Sequence, residues 1–220
     1  MSRKTGGRGS MPLSRERVLR AAVRLADETG IEALSMRNLA DALGVKAMSL
    51  YNHVAGKDDV LDGMVDLVVG EIELPTAGAD WKAAMRRRAI SAHEVLMHHP
   101  WATMLIVSRI NVGPAMLRYM EATLGCLREA GFSSVEADHA WNAIDSFIHG
   151  FTLQKLNFPL RPADYASAAE QFLPAIPAEQ YPYAHELARQ VIDGDHDGLN
   201  DLTFGLDLIL DGLDRLRGED

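Results

Sequence analysis

Apolar side chains recur every three or four residues along most of this chain, and the first such run begins near the N-terminus. Ser14 is suited to cap a helix, because its side-chain oxygen can accept a hydrogen bond from an unpaired backbone N–H. Gly30 favours the end of that helix. The apolar positions between them share one helical face: Val18, Ala22, Leu25 and Ala26.

Two shorter amphipathic runs follow, separated by a glycine. Ser35 is a second candidate N-cap, and the apolar residues after it are Met36, Leu39, Ala40 and Leu43. Gly44 permits a backbone turn that bulky residues resist, and a third short helix is predicted from Ala47 to His53. Because Ala40 is small, the two helices can cross closely. Residues 36–53 therefore predict a helix-turn-helix whose second helix can enter the major groove of DNA.

The remainder of the chain also has helical periodicity and lacks the alternation of strands. A fourth helix begins near Lys57, and further helices are predicted over Trp81–His99, Thr103–Ile110, Pro114–Ala130, Val135–Leu156, Ala184–Ile192 and Leu199–Arg217. Five of the nine prolines fall between residues 159 and 182, which predicts an irregular loop. The fold class is therefore all-α, with a disordered basic arm (1–13), a three-helix helix-turn-helix domain (14–74) and a helical C-terminal domain (75–220).

The charge distribution changes how the net charge of −9 is interpreted. Residues 1–57 hold ten Lys and Arg against five Asp and Glu, whereas the remaining 163 residues hold 12 basic and 26 acidic side chains. A basic N-terminal part on an acidic body can hold a polyanion at one end only. The single cysteine, Cys126, excludes an internal disulfide. No apolar run is long enough for a membrane span or a signal peptide, so we expect a cytoplasmic protein.

The stretch 18–68 carries a more specific signal than a helix-turn-helix alone. It contains GIEALSMRNLADALGV and then SLYNHVAGKDDVLDGMVD, so that L-Y-x-H-V is closely followed by G-K-x-x-[LV]-L-D. These motifs resemble the N-terminal domain of the tetracycline-repressor (TetR) family. The resemblance implies a DNA-binding transcriptional repressor that binds a palindromic operator as a homodimer and is released by a small-molecule effector.

The resemblance also implies which side chains contact double-stranded DNA. Arg37 would reach a base or a phosphate, while Tyr51, His53 and Lys57 would hold phosphates together with the amides that begin the fourth helix. Packing at a helix corner is the alternative role for Tyr51 and His53. The predicted set is completed by Lys46 and by the residues that face the groove floor: Ala47, Met48, Ser49 and Asn52.

The predicted recognition helix lacks an Arg or Gln, the usual readers of guanine and adenine. Met48 and Ala47 suit thymine methyl groups, and Asn52 is able to read adenine. Specificity is therefore expected to depend partly on DNA shape. The basic arm offers Arg3, Lys4 and Arg8 for the minor groove, and an uninvolved tail is the alternative.

Two C-terminal segments also resemble the ligand-binding and dimerisation domain of the tetracycline-repressor branch: GFSSVEADHAWNAIDSFIHGFTLQ and FGLDLILDGLDRL. A heptad seam is formed by Leu199, Leu202, Leu206, Ile209, Leu213 and Leu216, and the apolar residues off that seam are Phe204, Leu208 and Leu210. Gly150 permits close approach of helices. The resemblance makes a homodimer the preferred interpretation, with a wholly intramolecular core as the alternative. The predicted interface consists of Trp141, Ile144, Ile148, Phe151, Leu202, Leu206, Ile209 and Leu213.

Five polar side chains and one leucine in the C-terminal part supply a candidate effector pocket: His93, Leu105, Arg109, Asp145, His149 and Gln154. A solvated helix face is the alternative for Asp145 and His149. Tetracycline repressors hold the drug and magnesium with histidines and an acid, and Leu105, Gln154 and Glu73 stand where the resemblance places those ligands. We therefore expect an effector other than tetracycline–magnesium, and specifically a largely apolar organic molecule.

Other kinds of site lack support in the sequence. The run Asp193–Gly198 resembles the start of a calcium loop, but Phe204 stands where a bidentate Glu is required. GxSxG, P-loop, HExxH and CxxC motifs are missing, so we predict no enzyme activity, no metal site and no cofactor. The competing hypotheses are a helical small-molecule-binding or scaffolding protein without DNA binding and, with less support, a cofactor-free enzyme.

Overall fold

The structure is a computed structural model that describes residues 12–76, 78, 80–198 and 201–217. Within those residues the chain is all-helical and contains no strand, as predicted. The α-helices are α1 (Arg15–Thr29), α2 (Met36–Leu43), α3 (Ala47–Leu50), α4 (Lys57–Val69), α5 (Trp81–His98), α6 (Pro100–Ser108), α7 (Pro114–Glu129), α8 (Ser134–Asn157), α9 (Tyr165–Phe172), α10 (Pro182–Asp193) and α11 (Leu202–Leu216).

The predicted signals for helix ends act as expected in the N-terminal part. The N–H of Arg17 donates to Ser14 Oγ at 3.2 Å, and the N–H of Asn38 donates to Ser35 Oγ at 3.1 Å. Gly44 ends α2 in the left-handed conformation, with φ 66° and ψ 34°, which side chains with a Cβ adopt at a cost. These caps set the lengths of α1 and α2.

Helices α1 to α4 bury a shared apolar core. Val18 of α1, Leu39 of α2, Leu50 of α3 and Met64 of α4 are all fully buried. Helix α1 packs on α4 at Gly63, where an added Cβ would lie 2.6 Å from the terminal methyl groups of Leu19. Helix α4 therefore completes the apolar core of helices α1–α3. It also contacts α6 and α7.

The described chain forms two compact units, which divide between Trp141 and Asn142, within α8. Helix α4 packs against α6 and α7, so the first unit extends past residue 74, and the domain boundary predicted there stays a prediction. Trp81 and Phe132 meet edge to face in that unit, with ring centroids 5.0 Å apart. The start of α8 is fixed by a capping box, in which Ser133 N donates to Glu136 Oε2 at 2.6 Å and Glu136 N donates to Ser133 Oγ at 3.2 Å.

The second unit contains the largest departure from the sequence prediction. The proline-rich stretch 159–182 is not an irregular loop, since it holds α9 between short 3₁₀ turns at Pro162–Asp164 and Leu173–Ala175. Pro162, Pro174 and Pro182 stand in the first positions of these two turns and of α10, where a missing N–H costs nothing. Helix α11 crosses α8 closely at Gly205, where an added Cβ would lie 2.5 Å from Phe147 Cζ.

Some predicted features fall outside the described residues. These are residues 1–11 of the basic arm, with Arg3, Lys4 and Arg8, and Leu199 at the start of the heptad seam. In the part of the chain that is described, no helix combines the length and apolar character needed to cross a bilayer.

Candidate DNA-binding surface

The segment 36–54 has the geometry of a helix-turn-helix. The N–H of Val45 donates to Ala40 O at 3.0 Å across the turn at Gly44, and Ala40 is buried where α2 meets its neighbours. Leu50 is fully buried and anchors α3, whereas Val45 is only partly buried. Leu50 is therefore the main apolar contact at the corner of the motif.

Helix α3 is shorter than the predicted Ala47–His53. It makes one α-helical turn and continues as a hydrogen-bonded turn, in which the N–H groups of His53 and Val54 both donate to Leu50 O, at 2.8 and 3.0 Å. Tyr51 keeps right-handed helical angles, φ −66° and ψ −11°. Residues 47–53 therefore present their side chains much as a longer helix would.

The side chains predicted to contact DNA lie on the outside of this motif. Met48 is 75% exposed and Tyr51 is 47% exposed, and neither is part of the core. Three others, Ala47, Ser49 and His53, are half-buried. The remaining members of the set are exposed: Arg37, Lys46, Asn52 and Lys57. The surface thus combines cations, polar groups and one large apolar side chain.

A carboxylate fixes the start of α4 against α1. Asp59 Oδ2 accepts from the N–H of Ala55 at 2.8 Å, and both carboxylate oxygens accept from the Arg15 guanidinium at 2.7 Å. The Arg15 hydrogen bond is the main reason why the pKa of Asp59 is lowered. Sequence reasoning missed this pair, because the two residues are 44 positions apart and only the fold brings them together. Arg15 therefore forms a partly exposed ion pair with α4.

Three acids spaced four residues apart on α4 hold the segment that joins α6 to α7. Arg109 Nε donates to Asp62 Oδ1 at 2.7 Å, and another guanidinium nitrogen lies 3.2 Å from Asp58 Oδ1. Asp66 Oδ1 accepts from the N–H groups of Ala115 and Met116, both at 2.9 Å, and so caps α7. The hydrogen bond to Asp62 is the main cause of the raised pKa of Arg109. Arg109, predicted as a pocket residue, is directed at α4.

A second cluster joins α1 to the corner between α5 and α6. Buried His99 places Nδ1 2.7 Å from Asp27 Oδ1 and Nε2 3.2 Å from Glu71 Oε2. The indole N–H of Trp101 donates to the same Asp27 oxygen at 2.7 Å. Together with the Arg109 contacts, this cluster connects the helix-turn-helix to helices α5–α7 by polar bonds as well as by packing.

The other predicted pocket residues divide between the two units. His93 is buried and Leu105 half-buried in the first unit, while Asp145 and His149 are half-buried in the second. Gln154 is exposed and lines a groove of about 240 Å³ with Phe151, Lys155, Phe158, Pro162, Tyr165 and Gly198. The effector pocket therefore remains a prediction. Among the described residues, no group of three or more His, Cys, Asp or Glu side chains is arranged to hold a metal ion.

Burial changes the interpretation of the predicted dimer interface. Ile144, Ile148, Leu202 and Leu206 are buried within a single subunit, so a second copy cannot cover them. Trp141, Phe151, Ile209 and Leu213 are half-buried. The apolar side chains that α11 leaves uncovered are Phe204, Leu208 and Leu216, with exposures of 68%, 60% and 59%. Phe204 and Leu208 lie off the predicted heptad seam, whereas Leu216 is its last member.

Comparison with known proteins identifies the family. Residues 18–64 match the profile of bacterial regulatory proteins of the tetR family, and residues 74–217 match that of the tetracyclin repressor-like C-terminal domain. The chain belongs to the TetR family of transcriptional regulators. The resemblance noted from the motifs is thereby confirmed over both parts of the chain.

Individual relatives support this membership along nearly the whole length. The HTH-type transcriptional repressor DrrR1 of Streptomyces coeruleorubidus is 35% identical over 227 residues, which cover 96% of this chain and 83% of that protein. The class D tetracycline repressor protein of Escherichia coli is 30% identical, covering 92% and 89%. The ActR protein of Streptomyces coelicolor, solved in complex with actinorhodin, superposes with a TM-score of 0.79 at 28% identity, covering 94% of this chain and all of ActR.

Proposed function

We propose that this TetR-family regulator is a repressor that binds a palindromic operator as a homodimer and is released by an organic effector. The observation that carries the proposal is the outward face of residues 37–57, where every residue of the predicted contact set is exposed or half-buried. A helical binding protein without a DNA role would have no need to keep Lys57, Tyr51 and Arg37 together on one motif. Residues 14–74 are proposed as the DNA-binding domain and 75–220 as the effector and dimerisation domain.

The proposed contacts divide into two kinds. Tyr51, His53 and Lys57 hold phosphates beside the start of α4. The cap residue of that helix, Gly56, has no side chain to bond the amides of the first turn. Arg37 and Lys46 add charge along the backbone. Met48 and Asn52 face the base edges, because they lie four residues apart and so share one helical face.

The proposed dimer uses a face of α8 and α11 that one subunit leaves open. On α8, Ala143, Ser146 and Gly150 form an exposed row of small residues. Apart from its chain neighbours and the backbone of its own helix, nothing lies within 4 Å of a Cβ built on Gly150. On α11, Phe204 and Leu208 are exposed one turn apart. Small side chains let helices approach closely, and large apolar ones fill the remaining space. This face is proposed in place of the buried members of the predicted set, while the half-buried members remain predicted interface residues.

The proposed effector is a largely apolar organic molecule and not tetracycline with magnesium. Leu105 offers no metal ligand, and Glu73 is already paired with Arg87, its Oε1 lying 3.4 Å from Arg87 Nε. ActR, one of the similar structures, was solved with the organic compound actinorhodin, which supports an effector of this general kind. The contacts of Asp58, Asp62 and Asp66 with residues 109–116 supply a route by which a change near α6 and α7 moves α4.

A gel-shift titration tests the proposal, using the full chain and the DNA upstream of its own gene, followed by footprinting. We expect a protected site with two-fold symmetry and weaker binding by Lys57→Ala. Lys155→Ala, which removes the same charge from an exposed position of α8, is the matched control and should bind like the parent protein. A folded protein that binds this DNA no better than random duplex would contradict the proposal.

A further inference from the structure

Met48 is the most exposed large apolar side chain of the helix-turn-helix, at 75%. It lies in the middle of α3, between half-buried Ala47 and Ser49. None of these three side chains carries a guanidinium or an amide that could bond a base. A single exposed apolar residue is ordinary on a protein surface. This one stands where a helix-turn-helix presents side chains to the major groove, and its backbone is held by Leu50 in the core.

We propose that Met48 reads the 5-methyl group of a thymine, so that each half-site of the operator has T at one fixed position. The inference rests on the proposed function, since it requires this face to enter the major groove. Among the base edges in that groove, thymine alone carries an apolar group. Methionine is unbranched and polarizable, and so it adapts its shape to a methyl group more easily than a branched side chain does.

The side chains beside Met48 determine which other bases are disfavoured at this position of the operator. A cytosine at the same position presents an N4 amino donor, for which Ala47 has no side-chain acceptor and Met48 has only its weakly accepting thioether sulfur. Asn52 is exposed four residues later, on the same helical face, and its amide has the donor and acceptor that adenine requires. The half-site is therefore defined by an apolar contact and an amide contact, with no arginine–guanine pair from α3.

The size of the effect follows from the burial of one methyl group. Burying one such group contributes a factor of about four in affinity. A symmetric operator contains the contact twice, so removing both methyl groups is expected to weaken binding by roughly fifteenfold. The contact between Asn52 and adenine is a hydrogen bond and does not depend on the methyl group.

Uracil substitution isolates this methyl group. A preferred duplex is first selected from a random-sequence pool with the full-length protein, and each thymine of the bound site is then replaced by deoxyuridine, symmetrically in both half-sites. We expect one symmetric position at which uracil weakens binding by the parent protein and has no effect on Met48→Ala. Replacing that T·A pair by C·G should weaken binding further, and 5-methylcytosine should restore part of the loss.

Met104→Ala is the matched control, because Met104 is also an exposed methionine, on α6. It should keep the full sensitivity to uracil. If Met48→Ala retains the uracil sensitivity of the parent protein at every position, the methyl contact is wrong although DNA binding stands. If selection enriches no sequence, the proposed function fails, and this inference fails with it.

Discussion

The helix-turn-helix buries many of its apolar side chains in a core, whereas the α9–α10 segment buries none completely. Helix α1 alone has six buried residues, and α2, α3 and α4 complete a core around them. Helices α9 and α10 contain no buried residue, and they leave Phe172, Tyr183 and Leu187 exposed. One subunit therefore completes the first region and leaves apolar surface open in the second, as expected of a domain that functions in an assembly.

The largest expected effects concern α11, where buried and exposed leucines alternate. Phe204→Glu combined with Leu208→Glu should leave the fold intact and give monomers, because both side chains are exposed in one subunit. Leu206→Glu should instead unfold the protein, since it buries an unpaired charge at a cost of several kcal/mol. Sedimentation together with circular dichroism separates the two outcomes.

Leu117→Glu is the control for this comparison, since Leu117 is an exposed leucine of α7 and its variant should remain dimeric. If the Phe204→Glu, Leu208→Glu protein sediments like the parent, the proposed interface is wrong.

A second comparison uses two neighbouring residues of the helix-turn-helix. Leu50→Ala should lower the free energy of unfolding by about 2–5 kcal/mol, because it leaves a cavity beneath α3. Met48→Ala should change that free energy by less than about 0.5 kcal/mol, because its side chain is exposed. Urea unfolding measures both. Equal losses would show that Met48 belongs to the core.

The two regions also differ in how far their sequences predicted them. Helix ends set by neighbouring residues could be predicted from the sequence, as at Ser14, Ser35 and Gly44. The buried face of α1 could be predicted from the spacing of its apolar residues. The ion pairs Arg15–Asp59 and Arg109–Asp62 could not be predicted from the sequence, because the fold brings together residues that are distant along the chain. On α11, the periodicity identified two apolar faces but could not tell which one faces the chain's own core. In the stretch 159–182, prolines that begin 3₁₀ turns and α10 were taken for loop prolines.

Glycines at two close helix contacts provide a smaller test. Gly205→Ala should cost about 1–3 kcal/mol, because its Cβ would lie 2.5 Å from the ring of Phe147. Gly63→Ala should cost less, since its Cβ would meet the flexible methyl groups of Leu19 and not an aromatic ring. The gain in helix propensity, up to about 1 kcal/mol, applies to both glycines and so does not change their order. Thermal unfolding ranks the two. A greater loss for Gly63→Ala would contradict the close α8–α11 crossing.

The smallest effect is expected for the ion pair between α1 and α4. Arg15→Met should lower the free energy of unfolding by less than about 1 kcal/mol at neutral pH, because the pair is largely exposed to solvent. Since Arg15 lowers the pKa of folded Asp59, this contribution is present above about pH 4 and is lost as the pH falls through the lowered value. The free energies of unfolding of the parent protein and the variant should therefore become equal in acid. A difference that grows in acid would contradict the pair.

The central claim is that residues 37–57 form a DNA-reading surface with separate phosphate and base contacts. The most direct test is binding to operator and to random duplex over a range of salt concentrations. Lys57→Ala should weaken binding to both duplexes and reduce the salt slope by roughly one ion per subunit. Asn52→Ala should cost about 1–3 kcal/mol on the operator and little on random DNA. Loss of specificity by Lys57→Ala, with only a changed salt slope for Asn52→Ala, would contradict the placement of α3 in the groove.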